Sequence, residues 1–450
     1  MLINNYLGID EIPTKAQHIM RLFLILASLS TFVQILSNTF FILFSIDNIG
    51  FALTGVTLSF TFAVQLITDY PTGSLGDWIG QRRVLALSYV FFALSFYLMS
   101  QAHTFIDFMM IGLVNGLAAG QVSGTMLTWL DNNYKTVIEN ADNERKVYGY
   151  SRSRVNTMTR VVSAIAFMVG GLLATAHSRQ FVFEIQAIMM VGLVILVYTL
   201  MKDEKIPRNS ENPEDGEKQP SNGFASYFYG GLKFVATNKP AFFLITGTAF
   251  LFSSFAVWGT LILIPLYFGY TGTDSLASIF RTIVFVTGVP ISLYMAKISR
   301  KFTHNHIPVL TFIFVLLFYP GFMILFSIVP IKNELNIIGL IVSVIWLNLL
   351  IPTVFDLGAI LRQRILIDLV PSENRNAVYS LTPTIISVIG IFILPVAGYL
   401  VEDWGLIAGI GTAFVVAFIG AILIFLGIYY YNSGISKQGQ QKEVPVVVPS

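Results

Sequence analysis

The feature that most constrains this chain is a series of apolar segments that are each long enough to cross a lipid bilayer. A membrane-spanning helix needs about 20 mostly apolar residues. Twelve segments of the 450-residue chain reach that length, and we place them at roughly 18–46, 50–76, 83–101, 104–130, 156–177, 181–201, 240–268, 275–297, 307–330, 334–361, 377–400 and 404–431. Uninterrupted apolar runs of this length exclude a barrel of short alternating strands. The sequence therefore predicts an all-α membrane protein with twelve transmembrane helices.

The composition agrees with a lipid environment and argues against several classes of function. Hydrophobic residues make up 55% of the chain and charged residues only 12%, whereas a soluble protein carries about a quarter charged residues. The absence of cysteine excludes disulfides, thiolate metal sites and a cysteine nucleophile. The sequence also lacks a Gly-rich phosphate loop followed by Lys-Ser/Thr, and no nucleophile–base pair or metal-binding constellation stands out. We therefore expect neither an enzyme nor an ATP-driven pump, and no metal, cofactor or nucleic-acid partner.

The basic residues predict the orientation in the membrane. The connections after spans 2, 4, 6, 8 and 10 are basic, whereas those after the odd-numbered spans are short and poor in Lys and Arg. If both termini are cytoplasmic, 24 of the 27 Lys and Arg residues lie on the cytoplasmic side, and the other three are Arg179, Arg281 and Lys332. Because Lys and Arg are enriched in cytoplasmic loops, we expect a multi-pass protein of the plasma membrane with both termini inside the cell.

A polar segment divides the chain into two halves of six spans. Residues 202–223 are rich in Pro, Glu, Asn and Gly and nearly free of apolar side chains, a composition typical of a disordered linker. We assign residues 1–201 to a first six-helix bundle, 202–238 to a cytoplasmic linker, 239–432 to a second bundle and 433–450 to a disordered cytoplasmic tail. A weak repeat relates the halves, because Pro71 in span 2 and Pro290 in span 8 are each followed by paired basic residues.

The connection between spans 2 and 3 carries the most specific motif of the chain. It reads Gly-x-x-x-Asp-x-x-Gly-x-Arg-Arg from Gly73 to Arg83, with Asp77 at its centre. It resembles the loop between helices 2 and 3 of the major facilitator superfamily of transporters. The polar turn 371–377 before span 11 and the Asn115-Gly116 and Gly120 of span 4 are also similar to family patterns.

Two positions depart from the family patterns. Gly112 stands where the fourth-helix motif has an arginine that the family associates with proton coupling. In span 5, Gly170-Gly171 resembles the end of a motif typical of exporters, but Ala166-Phe167 replaces its Gly-Pro. Both departures weaken the inference to a proton-driven drug exporter.

The resemblance implies a specific architecture and a specific contact. The twelve helices would form two parallel six-helix bundles that rock around a central cavity lined by spans 1, 4, 7 and 10, so that the substrate site lies at the interface between the repeats. Asp77 would dock against the N-terminus of span 11, near Ala377, when the halves are closed on the cytoplasmic side. A carboxylate at a helix N-terminus is stabilised by the helix dipole.

Charged residues near the predicted cytoplasmic ends of the spans are candidates for a gate, because charges within membrane spans are costly. The alternative is that these side chains only reach the headgroup layer. Together with the glycines of the motif, the gate candidates are Asp69, Gly73, Gly76, Asp77, Gly80, Arg82, Arg83, Asp131, Arg160, Asp356 and Arg362.

Polar residues deeper in the spans are candidates for lining a substrate cavity. The set is Gln34, Asn38, Gln65, Asn115, Gln121, Trp258, Arg281, Trp346 and Asn348. Each one could instead form a hydrogen bond between helices, and Arg281 could be an anchor near the outer surface. The acids that could pair with Arg281 are Asp47, Glu184, Asp274, Glu402 and Asp403. No carboxylate is placed clearly at mid-membrane by these boundaries.

These observations favour a monomeric secondary transporter in the lipid bilayer that moves a small organic solute by alternating access. We lean to export of a drug-like molecule, with protons as the candidate coupling ion. A solute importer or facilitator on the same fold is the first alternative, and a transport-inactive receptor or scaffold is the alternative from another class.

Overall fold

The computed structural model describes residues 2–122, 124–138, 141–142, 145–203, 232–370 and 375–442. Within these ranges the side chains of 70–78, 375–377, 379–380 and 434–442 are not described. The described chain contains helices and turns, with no strand among these residues.

Twelve helical stretches are long and apolar enough to cross a membrane, which confirms the predicted number. We number these spans 1 to 12. After a short helix at Leu2–Leu7, the helices are Thr14–Ile35, Phe41–Ile79, Gln81–Gln101, Phe105–Val122 with Thr125–Ile138, Lys146–Ala176, Arg179–Leu200, Lys239–Val257 with Leu263–Gly269, Asp274–Ile298, His306–Ile328, Ile337–Pro352 with Gly358–Leu369, Arg375–Trp404 and Leu406–Lys442.

The first predicted span contains a break that we did not predict from the sequence. The helix that starts at Thr14 ends at Ile35, residues 36–40 form turns, and a new helix begins at Phe41. That second helix is interrupted at Gly50, whose φ of 79° and ψ of 174° are not helical. The interruption at Gly50 coincides with the predicted start of span 2. The break at 36–40 coincides with a short polar stretch, Leu-Ser-Asn-Thr-Phe, which the predicted span 18–46 runs across.

The fourth and tenth spans are longer than predicted. Span 4 continues to Ile138, after a break at Gly124 with φ of 73°, and span 10 continues to Leu369. Both extensions carry polar and charged residues at the C-terminal end of the helix, where a boundary drawn from hydropathy stops too early. The extension changes the depth of Asp356, which follows 19 residues of span 10 and precedes 13. At 1.5 Å per residue it lies about 28 Å from one end of the helix and about 20 Å from the other.

The second half contains two π-helical turns within its spans. Trp258–Ile262 interrupts span 7, and Thr353–Leu357 interrupts span 10. The π-helical turn of span 10 contacts the α-helical part of span 7, because the ring of Phe355 lies 5.0 Å from that of Phe252 and 4.5 Å from that of Phe255. Such π-helical turns are frequent at functional sites.

The chain that follows span 6 stays attached to the first half for at least three residues. The carbonyl of Lys202 accepts a hydrogen bond from the indole of Trp129 at 2.9 Å. The carboxylate of Asp203 accepts the backbone N–H of Arg82 at 3.1 Å and so caps the N-terminus of span 3. Residues 202 and 203 were predicted to open the linker. Residues 204–231, which hold the rest of that polar stretch, lie outside the described chain.

Candidate functional site

The described contacts between the two halves of the chain run from one end of the bundle to about the middle of the spans. Six residue pairs are hydrogen-bonded across the halves in the described part of the chain. They are Asn38–Arg281, Ala52–Glu402, Ser59–Ile391, Ala164–Thr282, Thr175–Ser275 and Arg179–Asp274. We call the end that carries Asp47, Arg179 and Asp274 the closed end, and the opposite end the open end.

Arg179 is the centre of the closed end. It begins span 6, and its guanidinium donates to both carboxylate oxygens of Asp274, at 2.8 and 2.9 Å, at the start of span 8. A third hydrogen bond of 2.6 Å reaches Asp47 in its own half. The side chains of Arg179 and Asp274 are only 14% and 13% exposed. A two-point arginine–carboxylate contact of this kind is stronger and more directional than an exposed ion pair.

A second contact joins the broken part of span 1 to span 8. The guanidinium of Arg281 donates to the backbone carbonyl of Asn38 at 2.8 Å and to its side-chain oxygen at 2.5 Å. The same guanidinium lies 4.2 Å from the centre of the Phe167 ring of span 5, a cation–π distance. The carbonyl of Asn38 is available because residues 36–40 are not helical. The break in span 1 therefore creates the acceptor that Arg281 uses.

Glycines bring the backbones together at the closed end. A Cβ on Gly170 of span 5 would lie 1.7 Å from the carbonyl oxygen of Leu36, at the break in span 1. A Cβ on Gly171 would lie 2.2 Å from the hydroxyl of Ser278 in span 8. Any larger residue at these positions would push apart the spans that form the contact.

Spans 2 and 11 form the other line of contact between the halves. The carboxylate of Glu402 accepts the backbone N–H of Ala52 at 2.7 Å, directly after the kink at Gly50. Further along, a Cβ on Gly55 would lie 2.4 Å from the carbonyl oxygen of Leu394. The hydroxyl of Ser59 donates to the carbonyl of Ile391 at 2.5 Å.

Toward the open end, the facing parts of spans 5 and 8 are exposed. The hydrogen bonds and ring contacts described between these spans run from Thr175–Ser275 to Ala164–Thr282. Beyond them, Arg160 is exposed and Val161 is 52% exposed on span 5. On span 8, Leu293 and Tyr294 are 68% and 59% exposed. Spans 5 and 8 thus diverge from the closed end toward the open end.

The predicted gate residues fall into separate groups at the open end. Arg82 lies over the ring of Tyr198 at 4.6 Å, Arg83 is exposed, and Gly80 has a φ of 95°. A Cβ on Gly80 would lie 2.3 Å from a carboxylate oxygen of Asp203, so glycine makes room for the cap. Burial raises the pKa of Asp203 above its ordinary value, although the N–H of Arg82 and the charges of Arg82 and Arg83 oppose this.

The acids predicted to form the gate do not pair with the predicted arginines among the described residues. Asp131 of span 4 accepts the hydroxyl of Tyr148 at the start of span 5. Asp356 accepts the hydroxyl of Ser292 in span 8 at 2.6 Å. Asp69 is exposed and has a partner, and Arg160 is exposed. The side chains of residues 73–77, and with them Gly73, Gly76 and Asp77, lie outside the described part of the chain, as does the predicted contact of Asp77 at Ala377.

The side chain of Arg362 is buried within the second half. Its side chain is 3% exposed, and one of its nitrogens donates to the carbonyl of Val354 at 3.2 Å, within the π-helical turn of span 10. The turn leaves carbonyls without their usual helical partners. Arg362 therefore stabilises an irregular stretch of its own span.

Several predicted cavity residues form hydrogen bonds between or within helices. Asn115 of span 4 donates to Ser95 of span 3, and Asn348 of span 10 donates to Thr287 of span 8. Gln34 donates to Ser30 one turn earlier in span 1. Gln65 is partly exposed, and Gln121 is buried.

The two predicted tryptophans pack within the second half. Trp258 is fully buried against the rings of Phe318 and Phe322, so the prediction that it faces a cavity does not fit this conformation. Trp346 is partly buried, and its indole donates to the carbonyl of Phe318 at 3.4 Å.

Sequence reasoning missed the main ion pair of the closed end. Asp47 and Asp274 were predicted to be available to Arg281, but both pair with Arg179. Arg179 was treated as an ordinary outer-loop cation. The detectable signal was an arginine at the very start of a span on the side that is otherwise poor in basic residues. Among the described residues, no cluster of three or more His, Asp or Glu could hold a metal ion.

The fold resembles those of several solved transporter structures. The structure resembles that of the nucleoside transporter NupG, with a TM-score of 0.67 at 16% identity over 92% of this chain and 99% of that chain. It also resembles a bacterial homolog of the human lysosomal transporter Spinster, with a TM-score of 0.69 at 13% identity over 93% of this chain and 97% of that chain. A D-xylose-proton symporter is similar as well, with a TM-score of 0.61 at 12% identity over 92% of this chain and 97% of that chain. No curated protein matches the chain. The sequence model of the Major Facilitator Superfamily matches residues 22–359. The chain belongs to the Major Facilitator Superfamily, and its fold is that of transporters of this superfamily.

Proposed function

We propose that this protein transports a small organic solute by alternating access, and that the structure represents the state open to the cytoplasm. The observation that carries the proposal is that the described inter-half hydrogen bonds run from the closed end only as far as Ser59–Ile391 and Ala164–Thr282, near the middle of their spans. The positive-inside prediction assigns the closed end to the outside of the cell. Rocking of the halves would separate Arg179 from Asp274 and bring the open ends together.

The contacts at the closed end are suited to a reversible gate. Arg179–Asp274 and Arg281–Asn38 are hydrogen bonds between polar groups at an interface, which can exchange for water when the halves separate. Gly170 and Gly55 let the backbones of neighbouring spans approach closely, without adding a covalent bond or a large hydrophobic contact. Gates of this kind can repack between two discrete arrangements.

Export is the direction that we favour, with a drug-like or aromatic solute as substrate. Support comes from the Gly170-Gly171 pair, which resembles part of an exporter motif and here lies in the contact between span 5 and spans 1 and 8. The aromatic contact of Phe355, in the π-helical turn of span 10, with Phe252 and Phe255 of span 7 offers a surface for an apolar or aromatic group. An importer or facilitator of a nucleoside or sugar, as the neighbours' names suggest, is the alternative.

We also propose that transport is coupled to protons through a carboxylate on the open-end side of the bundle. Asp356 is the strongest candidate, because it lies well inside span 10 and next to the aromatic contact. Asp69 and Asp131 are the other candidates. A protonatable group inside a membrane span is expensive to keep charged, so proton binding there can bias a conformational change.

The conformational part of the proposal can be tested by distance measurements on the full chain. Because the protein contains no cysteine, spin labels can be placed at introduced cysteines without a background. One pair, His177→Cys with Glu334→Cys, reports the closed end; another, Lys135→Cys with Lys301→Cys, reports the open end. All four positions are exposed.

Ligands are found first by thermal shift of the purified protein against nucleosides, sugars, short peptides and amphipathic drugs, since a ligand stabilises the state it binds. The hit is then tested by counterflow in proteoliposomes and by the two label pairs. A transporter should show counterflow, with the closed-end distance lengthening as the open-end distance shortens. Ligand binding without counterflow and with fixed distances would instead indicate a receptor or scaffold.

A further inference from the structure

A basic cavity lies at the open end of the first half, away from the contacts between the halves. Its volume is about 440 Å³, and it lies where span 1 begins and spans 4 and 6 end. None of the residues discussed for the gate or for solute transport lines it. It is therefore a site that the proposed function does not use.

Positive charge converges on this cavity from two elements. Lys15, His18 and Arg21 line it from span 1, at a three-residue spacing that places them on one face of the helix. Lys202 lines it from the chain that follows span 6. No acidic residue is among the lining residues.

These basic groups are not neutralised by the protein in the described part of the chain. The ion pairs described there involve Arg179, and none involves Lys15, Arg21 or Lys202. Arg21 uses its Nε to donate to the carbonyl of Gln17 at 3.3 Å, which leaves both terminal nitrogens for another acceptor. Unpaired cations gathered around one cavity repel one another, and an anion that binds between them removes that repulsion.

The cavity is held in shape by a fixed contact. The indole of Trp129, which is 2% exposed, donates to the carbonyl of Lys202 at 2.9 Å and so ties the end of span 6 to span 4. Asn133, one turn further along span 4, donates to the carbonyl of Trp129. Lys202 is thereby kept at the mouth of the cavity and is not carried away with the linker.

The remaining walls are apolar and the position is interfacial. Leu22, Val137 and Leu200 line the cavity beside the basic groups. The cavity lies at the ends of three membrane spans, the level at which the phosphates of lipid headgroups lie. Basic pockets between transmembrane helices on the cytoplasmic side are suited to anionic headgroups.

We propose that this cavity binds the phosphate group of an anionic ligand, either a phospholipid headgroup or a water-soluble phosphate ester. Phosphate fits better than a carboxylate, because its additional oxygens can accept from Arg21, Lys15 and Lys202 at once. The apolar walls would contact the glycerol and the first carbons of a lipid. This binding is independent of the transported solute.

The test measures binding of three probes to the purified full-length protein by thermal shift and calorimetry. The probes are dihexanoyl phosphatidylglycerol below its micellar concentration, glycerol 3-phosphate, and dihexanoylglycerol, which has the same acyl chains without phosphate. Binding of the phospholipid alone assigns a lipid headgroup. Binding of both phosphate compounds shows that the phosphate group suffices. Failure of both, or equal binding of the phosphate-free lipid, would overturn the proposal.

Variants separate the cavity from general surface charge. Arg21→Gln should weaken binding about tenfold, and the triple change Lys15→Gln, Arg21→Gln, Lys202→Gln should abolish it. The matched control, Lys135→Gln, Lys297→Gln, Lys301→Gln, removes three exposed charges from the same end without touching the cavity, and should leave the affinity within about twofold.

Val137→Phe fills the cavity without changing its charge and should also abolish binding. Without ligand, each variant must keep the elution profile and melting temperature of the parent. If either the cavity triple or Val137→Phe does not, the conclusion is drawn from whichever of the two folds. If Val137→Phe and the cavity triple both fold and both retain parental affinity, the site is elsewhere and the proposal is wrong.

Discussion

Arg179 and Asp274 join the two halves of this transporter by two parallel hydrogen bonds of 2.8 and 2.9 Å. Each residue is the first of its helix, so the contact lies where spans 6 and 8 start. The aspartate thereby also lies at a helix N-terminus, where a negative charge is favoured. Asp47 completes the arrangement from the first half.

We expect Arg179→Gln to shift the population toward the state that is open at the Arg179 end. The change removes a bidentate, mostly desolvated contact and leaves Asp274 without its cation, a loss of about 1.5–3 kcal/mol. Since about 1.4 kcal/mol changes a two-state ratio tenfold, the longer distance between labels at 177 and 334 should become at least ten times more populated. Lys332→Gln, which removes an exposed cation nearby, should leave the distribution unchanged, and an unchanged distribution in Arg179→Gln would show that this pair is not a gate.

We expect Gly170→Ala to prevent the observed packing at the closed end. Its Cβ would lie 1.7 Å from the carbonyl oxygen of Leu36, a contact that the broken backbone at 36–40 must move to relieve. The matched control is Gly192→Ala, because a Cβ there meets nothing within 4 Å and alanine favours a helix by about 1 kcal/mol. Gly170→Ala should lower the melting temperature and lengthen the 177–334 distance, while Gly192→Ala should do neither; equal behaviour of the two variants would contradict the role given to Gly170.

The sequence predicted the number of spans because membrane-spanning length is a property of each segment alone. It did not predict the break at 36–40 or the π-helical turns at 258–262 and 353–357. These segments contain polar residues, and Pro352 precedes the last of them, but short polar or proline interruptions also occur in membrane helices that stay regular. The partners of a polar side chain depend on tertiary packing. Asn115 and Asn348 therefore appeared as cavity candidates, although both form hydrogen bonds between helices.

Composition also misled the assignment of Asp203. It was grouped with the polar linker because its neighbours are polar, but its role depends on a contact with Arg82, 121 residues away. A glycine of the motif also takes part in this contact. This residue, Gly80, has a φ of 95° and leaves room for the carboxylate of Asp203.

We expect the stability contributed by Asp203 to depend on pH with a defined sign. Burial raises the pKa of Asp203 above the ordinary value of 3.8, so the folded protein holds this proton to a higher pH than the unfolded chain does. The protonated carboxyl therefore contributes stability that is fully present below the ordinary pKa and is lost as the pH rises through the raised one. The melting temperature of the parent relative to Asp203→Asn should fall as the pH rises above about 4.

The cap itself can be separated from the titration of Asp203. Asp203→Ala removes the acceptor of the Arg82 N–H and should cost about 0.5–2 kcal/mol at all pH values, whereas Asp203→Asn keeps an acceptor and should cost less. A melting-temperature difference between parent and Asp203→Asn that is constant with pH, or that grows as the pH rises, would contradict the raised pKa. Asp10→Asn, an exposed acid at the same end, is the control.

The last prediction concerns Asp356 and the coupling ion. Its carboxylate accepts a hydrogen bond from the hydroxyl of Ser292 at 2.6 Å. The preceding residue, Phe355, contacts the phenylalanine rings of span 7. A proton that arrives at Asp356 would change both the charge inside span 10 and its bond to span 8, so it can alter the packing of the spans that face the solute. Asp356→Asn keeps the shape but fixes the neutral form.

If protons drive transport through this residue, Asp356→Asn proteoliposomes should retain counterflow but lose the accumulation that an imposed pH gradient produces in the parent. Asp131→Asn is the comparison, because its carboxylate binds Tyr148 within the first half and near the end of span 4; that variant should keep gradient-driven accumulation. Accumulation that persists in Asp356→Asn and disappears in Asp131→Asn would move the coupling site to the first half. Accumulation that is insensitive to the gradient in the parent would show that the protein is a facilitator or uses another ion.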